Sequence, residues 1–364
     1  MGIFTRTAVA VDEARTKIKA QKIRKNLKLL GKNLTRDVVI IAEIGVNHEG
    51  DIDTASKLLR LAAEAGADAA KFQSYSPERL TAGDDAERLA RVSRFALSEA
   101  DHRRLAAEAG ELGIAFCSSA VTEDMVPLIA ELSPLIKIAS GDIDFESVIR
   151  SAAATGLPVI LSTGNATAEE VERAVEWVRD EIGARPLDET LVLMQCVSAY
   201  PAPVEEANVA AMGYLKERFG VHVGYSNHVI GPDACFAAVA LGASVIEVHF
   251  TDRKTGRDFR DHELSFDLAD LKELVERAPR IRAALGRPEK RRQPSEEASV
   301  LAIRKGVVAA RDLDAGTILS RNDLMFARPA SEFASRDINS LVGCELTAQV
   351  QRGHVIRRES ITAK

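Results

Sequence analysis

Short β-branched runs alternate with amphipathic helical stretches from Val38 onward, and the alternation repeats eight times. Apolar residues at helical spacing predict helices between the runs, and Thr167 with Glu170 predicts an N-terminal capping box for one of them. Gly286 follows the final predicted helix. The predicted strands are Val38–Ile44, Ala69–Ser74, Ile114–Cys117, Leu135–Ile138, Pro158–Leu161, Leu191–Cys196, His222–Tyr225 and Ser244–His249.

Eight strand–helix units within residues 37–286 predict an α/β fold, the closed (β/α)8 TIM barrel. A doubly wound open sheet is the alternative architecture, but no G-x-G-x-x-G motif follows the first strand. Residues 287–302 are charged and contain prolines, which predicts a linker. Residues 303–364 change to short strands with glycine turns, which predicts a small β-rich domain.

The first 36 residues are predicted to be a basic leader, with nine Lys or Arg residues and no acid between Arg15 and Arg36. Ile23, Leu27, Leu30 and Leu34 fall at helical spacing. One interpretation is a basic amphipathic helix that docks on a partner or an anionic surface. The other, which we favour, is a partly ordered leader packed on the body of the protein.

Composition narrows the class of protein. The net charge of −6 argues against bulk affinity for nucleic acid. No apolar run reaches the roughly 18 to 20 residues of a membrane span, so no transmembrane segment is expected. The four cysteines are far apart in apolar stretches, which favours reduced core thiols. We therefore expect a cytoplasmic protein without a secretory signal.

The active site of a TIM barrel lies at the carboxyl ends of its strands, so polar residues there are candidates. Lys71 and Lys137 interrupt otherwise apolar strands, where a charge is costly unless it is paired. Two inward lysines with nearby hydroxyls suit a small polyanion such as a phosphorylated carboxylate; the alternative is a structural pairing with Glu43 and Asp142. The candidates are Glu43, Lys71, Gln73, Ser119, Lys137, Ser140, Asp142, Ser162, Ser198, Tyr200, Ser226, His228, Glu247 and His249.

His228 and His249 end the last two neighbouring strands. Adjacent strands lie about 4.8 Å apart, so two imidazoles at matched height can share one metal ion and leave positions open for substrate. The alternative is that each is a hydrogen-bonded structural histidine. The remaining histidines lack such a pairing; we expect His48 near the mouth, and His102 and His222 on the outside.

Taken together, these segments resemble the sialic acid (nonulosonic acid) synthase family, which includes N-acetylneuraminate, legionaminate and pseudaminate synthases. The similarity lies in IIAEIGVNHEG, AGADAAKFQ, IKIASGD, LSTG, SAYPAP, GYSNH and LGASVIEVHF. The segment VVAARDLDAGTILSRNDLMFARP looks like the antifreeze-like (SAF) domain of these enzymes.

The resemblance implies a role for each matching residue. His228 and His249 would ligate Mn²⁺, with Mg²⁺ or Co²⁺ as alternatives. The groups that would hold phosphoenolpyruvate are Lys71, Ser119, Lys137, Ser140, Ser162 and Ser226. The groups that would meet an amino sugar are Glu43, Gln73, Tyr200 and Asp261, with Asp258 as the alternative aspartate. Arg328, from the SAF domain of a partner subunit in a domain-swapped homodimer, would close the sugar site.

The expected reaction joins phosphoenolpyruvate to N-acetylmannosamine or a 2,4-diacetamido hexose and releases phosphate, for polysaccharide or flagellin glycosylation. Asn227 stands where the family usually has aspartate, and the sugar-side segments depart most from its pattern. One rival is a Schiff-base aldolase that uses Lys71 or Lys137 as nucleophile. Another is a barrel that binds a sugar acid in a glycosylation complex without turning it over.

Overall fold

The computed structural model describes residues 28–257, 259–330 and 332–362. The chain forms two compact units that divide between Gly286 and Arg287. Within the described ranges, no helix is both long and apolar enough to cross a membrane.

The first unit is a closed barrel of eight parallel strands, which confirms the predicted α/β barrel and excludes the open sheet. A short hairpin precedes the barrel, and its two-residue strands are β1 (Lys28–Leu29) and β2 (Lys32–Asn33). Each predicted strand is present, with ends shifted by up to three residues. The barrel strands are β3 (Val39–Gly45), β4 (Ala69–Ser74), β5 (Ala115–Ala120), β6 (Ile136–Ile138), β7 (Val159–Ser162), β8 (Leu191–Cys196), β9 (His222–Asn227) and β10 (Val245–His249).

Helices follow the barrel strands and cover the outside of the barrel. The capping box predicted at Thr167 is present, because its side chain accepts from the amide of Glu170 and the Glu170 carboxylate accepts in return. The helices of this unit are α1 (Ile52–Ala65), α2 (Pro77–Leu80), α3 (Ala86–Phe95), α4 (Glu99–Leu112), α5 (Val126–Leu132), α6 (Glu146–Ala154), α7 (Ala168–Ile182), α8 (Ala211–Phe219), α9 (Asp233–Ala240), α10 (Asp261–Leu264) and α11 (Leu268–Leu285).

The part of the basic leader that the structure describes is a hairpin, which contradicts the amphipathic-helix interpretation for residues 28–34. Leu30 and Gly31 both have positive φ, and the turn they form reverses the chain. Leu29 and Leu34 are buried beside Val39, at the start of β3, so the hairpin packs against the amino-terminal end of the barrel. This agrees with the packed-leader interpretation for these residues; Ile23 and Leu27 lie outside the described residues.

Strand alternation places the chemistry inside the barrel. Val39 and Ile41 point inward with the barrel-interior cluster, whereas Ile40 and Ala42 join the core between strands and helices. Glu43 therefore points inward at the carboxyl end of β3, above the apolar layer. Parallel register then brings the polar residues of neighbouring strands to the same end.

The second unit is a small β-rich domain around Val307, Leu319, Leu341 and Ile356. Its sheet pairs β11 (Gly306–Ala309) antiparallel with β12 (Leu324–Ala327), and its short α-helices are α12 (Val300–Ile303) and α13 (Ile338–Leu341). The predicted linker is not wholly irregular, because residues 294–299 form a 3₁₀ helix that runs into α12. Arg328 immediately follows β12 in this unit.

Candidate active site

Lys71 lies at the centre of a buried ion-pair network. Glu43 and Lys71 are register partners on β3 and β4, and the Nζ of Lys71 is 2.5 Å from Glu43 Oε2. The same ammonium donates to Ser119 Oγ at 2.9 Å and lies 3.7 Å from Glu247 Oε2. The structure therefore satisfies this buried charge with two carboxylates and a hydroxyl.

Lys137 approaches the same carboxylate from the other side. Its Nζ donates to Ser162 Oγ at 2.7 Å and to the Ile138 carbonyl at 3.0 Å, and it is 3.8 Å from Glu247 Oε1. Ser226 Oγ donates to that carboxylate oxygen at 2.8 Å. Glu247 thus joins the two lysines into one network. The second carboxylate within ion-pair distance of Lys71 or Lys137 is Glu43 rather than Asp142.

Burial and the neighbouring lysines shift the pKa values of the two carboxylates in opposite directions. Burial opposes ionisation of Glu247, but Lys137 and Lys71 outweigh it and hold its pKa at about 2. Burial raises the pKa of Glu43 to about 7, against the opposing charge of Lys71. Near neutral pH a fraction of Glu43 is therefore uncharged, and Glu247 is the carboxylate that stays ionised between the two lysines. Such a network attracts a small polyanion.

The two candidate metal ligands lie side by side. The ring centroids of His228 and His249 are 5.2 Å apart, and Tyr200 lies 4.0 Å from the first ring and 5.7 Å from the second. Burial lowers the pKa of His228, and burial with the neighbouring His228 lowers the pKa of His249 further. Both shifts favour the neutral imidazole, which is the form that binds metal.

The donor set fits a divalent ion. The Nδ1 of His228 donates to the Val197 carbonyl at 2.5 Å, which leaves its Nε2 available for an ion. With metal–nitrogen bonds of roughly 2.1 Å, rings separated by 5.2 Å can meet at one ion. Asp261 Oδ2 is 3.9 Å from His249 Nδ1, and no group of three or more metal-binding side chains occurs in the described ranges. An ion held here would keep several positions open.

Most of the predicted site residues line one cavity of about 320 Å³ at the carboxyl end of the barrel. The predicted residues in its wall are Glu43, Lys71, Gln73, Ser119, Lys137, Ser140, Ser162, Tyr200, Ser226, His228, Glu247, His249 and Asp261. Asp142 and Ser198 do not line it, and Asp258 lies outside the described residues. Arg328 belongs to the second unit, so its predicted role at the sugar site stays a prediction.

Ser198 is nevertheless close to the cavity wall. The amide of Gly164 donates to Ser140 Oγ at 3.0 Å. A Cβ at Gly164 would lie 2.6 Å from Ser198 Oγ and 2.8 Å from Ser140 Oγ, so the approach of the two hydroxyls requires glycine. This cluster presents a backbone amide and two hydroxyls beside Cys196, which lines the cavity.

Some features of the wall do not follow from the sequence. Glu247 is a predicted candidate, but its position between the two lysines depends on register across the closed barrel. Arg88 and Arg91 on α3, with Phe259 and Arg260 after β10, line the cavity mouth. Arg88 and Arg91 lie three residues apart on an amphipathic helix, so the sequence predicts that they share one face of it. The sequence does not predict that this face lines the cavity, because loops and short helices separate it from the strands.

Comparison with known proteins shows that the chain is similar to sugar-acid synthases. The NeuB family model matches residues 58–290, and the SAF domain model matches residues 304–362. The chain is 35% identical over 336 residues to N,N'-diacetyllegionaminic acid synthase from Campylobacter jejuni, covering 88% of this chain and 99% of that protein. It is 32% identical over 338 residues to N-acetylneuraminate-9-phosphate synthase from Homo sapiens, covering 88% and 92%.

A solved structure of a sialic acid synthetase is also similar to this chain. N-acetylneuraminic acid (sialic acid) synthetase from Leptospira borgpetersenii serovar Hardjo-bovis, crystallised with citrate, superposes with a TM-score of 0.68 at 33% identity. The match covers 73% of this chain and 91% of that chain.

Proposed function

The chain belongs to the NeuB family of synthases and carries a SAF domain, and from this we propose that it is a nonulosonic acid synthase that uses phosphoenolpyruvate. The proposed co-substrate is an N-acetylated amino-sugar aldehyde, either N-acetylmannosamine or a 2,4-diacetamido hexose. Carbon 3 of phosphoenolpyruvate forms a bond to the aldehyde carbon, water adds at carbon 2, and the carbon–oxygen bond to phosphate breaks.

The observation that carries this proposal is the buried pair of lysines beside two buried histidines. Lys71 and Lys137 are almost fully buried, converge on one carboxylate and line the same cavity as His228 and His249. This arrangement supports binding of a small phosphorylated carboxylate next to a Lewis-acid site. An isolated structural ion pair would not explain why the hydroxyls of Ser119 and Ser162 complete the network at the cavity wall.

A divalent ion, Mn²⁺ by proposal, would be held by His228 and His249 and would supply Lewis-acid polarisation of the sugar carbonyl. Side chains of the barrel would bind, orient and stabilise the substrates. Lys71 and Lys137 neutralise the phosphate and carboxylate, and stabilise the charge that moves to phosphate as it leaves. The hydroxyls of Ser162 and Ser226 orient these groups.

Glu43 is placed to move a proton. Its pKa of about 7 lets it give or take a proton near neutral pH, as a general acid or base requires. Gln73 Nε2 donates to its other oxygen at 3.4 Å, so Glu43 bridges the phosphoenolpyruvate side and the sugar side. Tyr200 and Asp261 complete the sugar side, and burial raises the pKa of Asp261.

Phosphate release with phosphoenolpyruvate and Mn²⁺ tests the proposal against a panel of N-acetylmannosamine, 2,4-diacetamido sugars and simple pentose phosphates. We expect release only when an amino-sugar aldehyde is present. Binding of these sugars without phosphate release would instead support a non-catalytic barrel.

A Schiff-base aldolase is favoured by one observation, since burial lowers the pKa of Lys137 as an amine nucleophile requires. Both hydrogen bonds of its ammonium, to Ser162 and to the Ile138 carbonyl, instead favour the charged form. Borohydride with pyruvate separates the two reactions. Covalent trapping on Lys71 or Lys137 would establish the aldolase, whereas the synthase forms no reducible adduct.

A further inference from the structure

Asn227 closes a turn around His228. Its Nδ2 donates to the Val229 carbonyl at 2.8 Å, and its Oδ1 accepts from the Val229 amide at 3.3 Å. His228 is the residue between them, and its own carbonyl accepts from the amide of Ala202 at 2.9 Å. Hydrogen bonds therefore fix the main chain at this imidazole and directly after it.

Asn47 makes a corresponding contact beside His249. From the loop after β3, its Nδ2 donates at 2.9 Å to the carbonyl of Phe250, the residue that follows His249. The His249 carbonyl accepts from the amide of Phe266 at 2.7 Å. Each histidine thus has the same two supports. A loop amide bonds to its own carbonyl, and a buried asparagine bonds to the carbonyl of the next residue.

We define Asn47 and Asn227 as the asparagine clamps. Each is 1% exposed, and neither lines the active-site cavity. Asn227 lies between Ser226 and His228, which both line the cavity, so strand alternation directs its side chain to the opposite face. The clamps are therefore placed to act on the histidines through the main chain and not on a substrate.

The buried amide of Asn47 is costly to keep. Within the described ranges its Oδ1 has no hydrogen-bond partner, and an unpaired buried acceptor lowers stability. Its Nδ2 also donates to Ser265 Oγ at 3.1 Å, and that hydroxyl donates to the Asp261 carbonyl at 2.6 Å. What Asn47 supplies is thus a donor that ties the end of β10 to the segment carrying Asp261.

We propose that the asparagine clamps are positioning residues that hold His228 and His249 at the separation one divalent ion requires. This inference rests on the proposed metal role of the two histidines. The ring centroids are 5.2 Å apart and metal–nitrogen bonds are roughly 2.1 Å long, so a small rotation of the main chain carries a ring nitrogen out of bonding distance. With two proposed protein ligands, displacement of one leaves a single ligand for the ion.

An amide, and not a carboxylate, meets the requirement at position 227. Val229 presents both an N–H and a carbonyl to this side chain, and a carboxamide can accept from the first and donate to the second. Aspartate, the residue usual in the family at this position, would accept from the N–H but place an oxygen against the carbonyl. The departure of this chain from the family pattern therefore supplies the second hydrogen bond of this clamp.

Metal binding without substrates tests the inference on the full chain after removal of metal. Asn227→Leu and Asn47→Leu are similar in size to asparagine and remove the hydrogen bonds; Asn227→Ala and Asn47→Ala replace any leucine variant that does not fold. Calorimetry with Co²⁺ gives the affinity, and the visible absorption of bound Co²⁺ reports its coordination geometry. We expect each variant to bind Co²⁺ about tenfold or more weakly and to show altered absorption, because groups that orient metal ligands contribute this much.

Ser74 supplies the matched control. It is fully buried in the same barrel and shares a hydrogen bond of 2.7 Å with His102 Nε2, but it does not line the active-site cavity. Ser74→Ala should lose thermal stability as the asparagine variants do, yet keep the wild-type affinity and absorption of Co²⁺. The inference is overturned if the asparagine variants bind Co²⁺ like wild type. It is also overturned if Ser74→Ala weakens binding equally, because general loosening of the barrel would then explain the loss.

The two proposals fail differently. Weakened Co²⁺ binding in the asparagine variants, without phosphate release from any sugar by wild type, would sink the synthase reaction and leave this inference standing. Phosphate release with an amino sugar, alongside equal Co²⁺ binding in all variants, would sink only this inference. Co²⁺ binding that survives unchanged in His228→Ala would place the ion elsewhere and overturn the clamps together with the metal role.

Discussion

The Nζ of Lys71 lies 2.5 Å from Glu43 Oε2, and both side chains are almost fully buried. The contact follows directly from strand register, because the two residues are partners on adjacent strands of the barrel. Breaking one member of such a pair leaves an uncompensated buried charge, which is far more costly than loss of a surface ion pair. The pair therefore holds one lysine in place for an anionic substrate.

Removal of either cavity lysine should weaken binding of phosphoenolpyruvate. Lys137→Ala is the cleaner variant, because Glu247 keeps Lys71 at 3.7 Å and the hydrogen bond from Ser226. We expect the KM for phosphoenolpyruvate to rise at least about tenfold, since a charge-assisted contact contributes roughly 1.5 to 3 kcal/mol. Lys71→Ala should have a similar effect on KM and a larger cost in thermal stability.

Steady-state kinetics with both substrates check this, with Lys57→Ala as control because Lys57 forms an exposed pair with Asp252 outside the cavity. If only the sugar KM rose, the lysines would belong to the other substrate.

Loss of either imidazole should abolish activity while the barrel stays folded. His228→Ala and His249→Ala each remove one of two proposed protein ligands, and no group of three or more metal-binding side chains exists in the described parts of the chain. Metal titration monitored by calorimetry should show loss of the bound divalent ion, and chelation of wild type should mimic the variants reversibly. Full activity in a metal-free sample would refute the metal role.

The barrel was predictable because eight short apolar runs alternate with amphipathic helical stretches, and closure of the barrel then fixes the register of the strands. Most of the candidate residues at strand ends line one cavity for the same reason. Prediction failed where tertiary packing overrides local pattern. His102 and His222 were expected on the outside, but both are buried; the first bonds Ser74 Oγ at 2.7 Å, and the second lies at the start of β9 beside Ser244.

Tertiary packing also decides the structure of the leader and the positions of Arg88 and Arg91 at the cavity. The spacing of Leu30 and Leu34 resembles a helix, but burial of Leu34 against the barrel end favours a hairpin instead. In the sequence, Arg88 and Arg91 cannot be distinguished from the arginines of a solvent-exposed helix face. Only the position of α3 in the fold shows that they line the cavity. Neither placement is encoded in local periodicity.

A pH-dependent stability should arise from His48. Burial lowers its pKa to about 4, well below the ordinary value of 6.5. As pH falls from 6.5 toward 4, the unfolded chain takes up a proton that the folded chain does not, so stability is lost in that window. From pH 7 to pH 5, the wild type should lose about 2 kcal/mol more than His48→Gln.

Urea unfolding of both proteins at the two pH values measures this difference. His354 is exposed, so His354→Gln should keep the pH dependence of wild type. Equal loss of stability in wild type and His48→Gln would show that His48 titrates alike in both states.

Mixing two inactive variants tests whether active sites are shared in a homodimer, as the family resemblance implies for Arg328. His249→Ala and Arg328→Ala should each be inactive alone. If the SAF domain serves the partner's barrel, mixed dimers contain one site free of both changes and regain up to about half the wild-type activity per heterodimer. Verified heterodimers that stay inactive would rule out the shared site without touching the chemistry.

The fate of the bridging oxygen of phosphoenolpyruvate tests the proposed condensation most directly. With ¹⁸O between carbon 2 and phosphorus, the reaction should release phosphate only when the amino-sugar aldehyde is present, and all of the label should leave in that phosphate. Label retained in the sugar acid, or phosphate released without the sugar, would contradict the carbon–carbon bond-forming synthase that we propose.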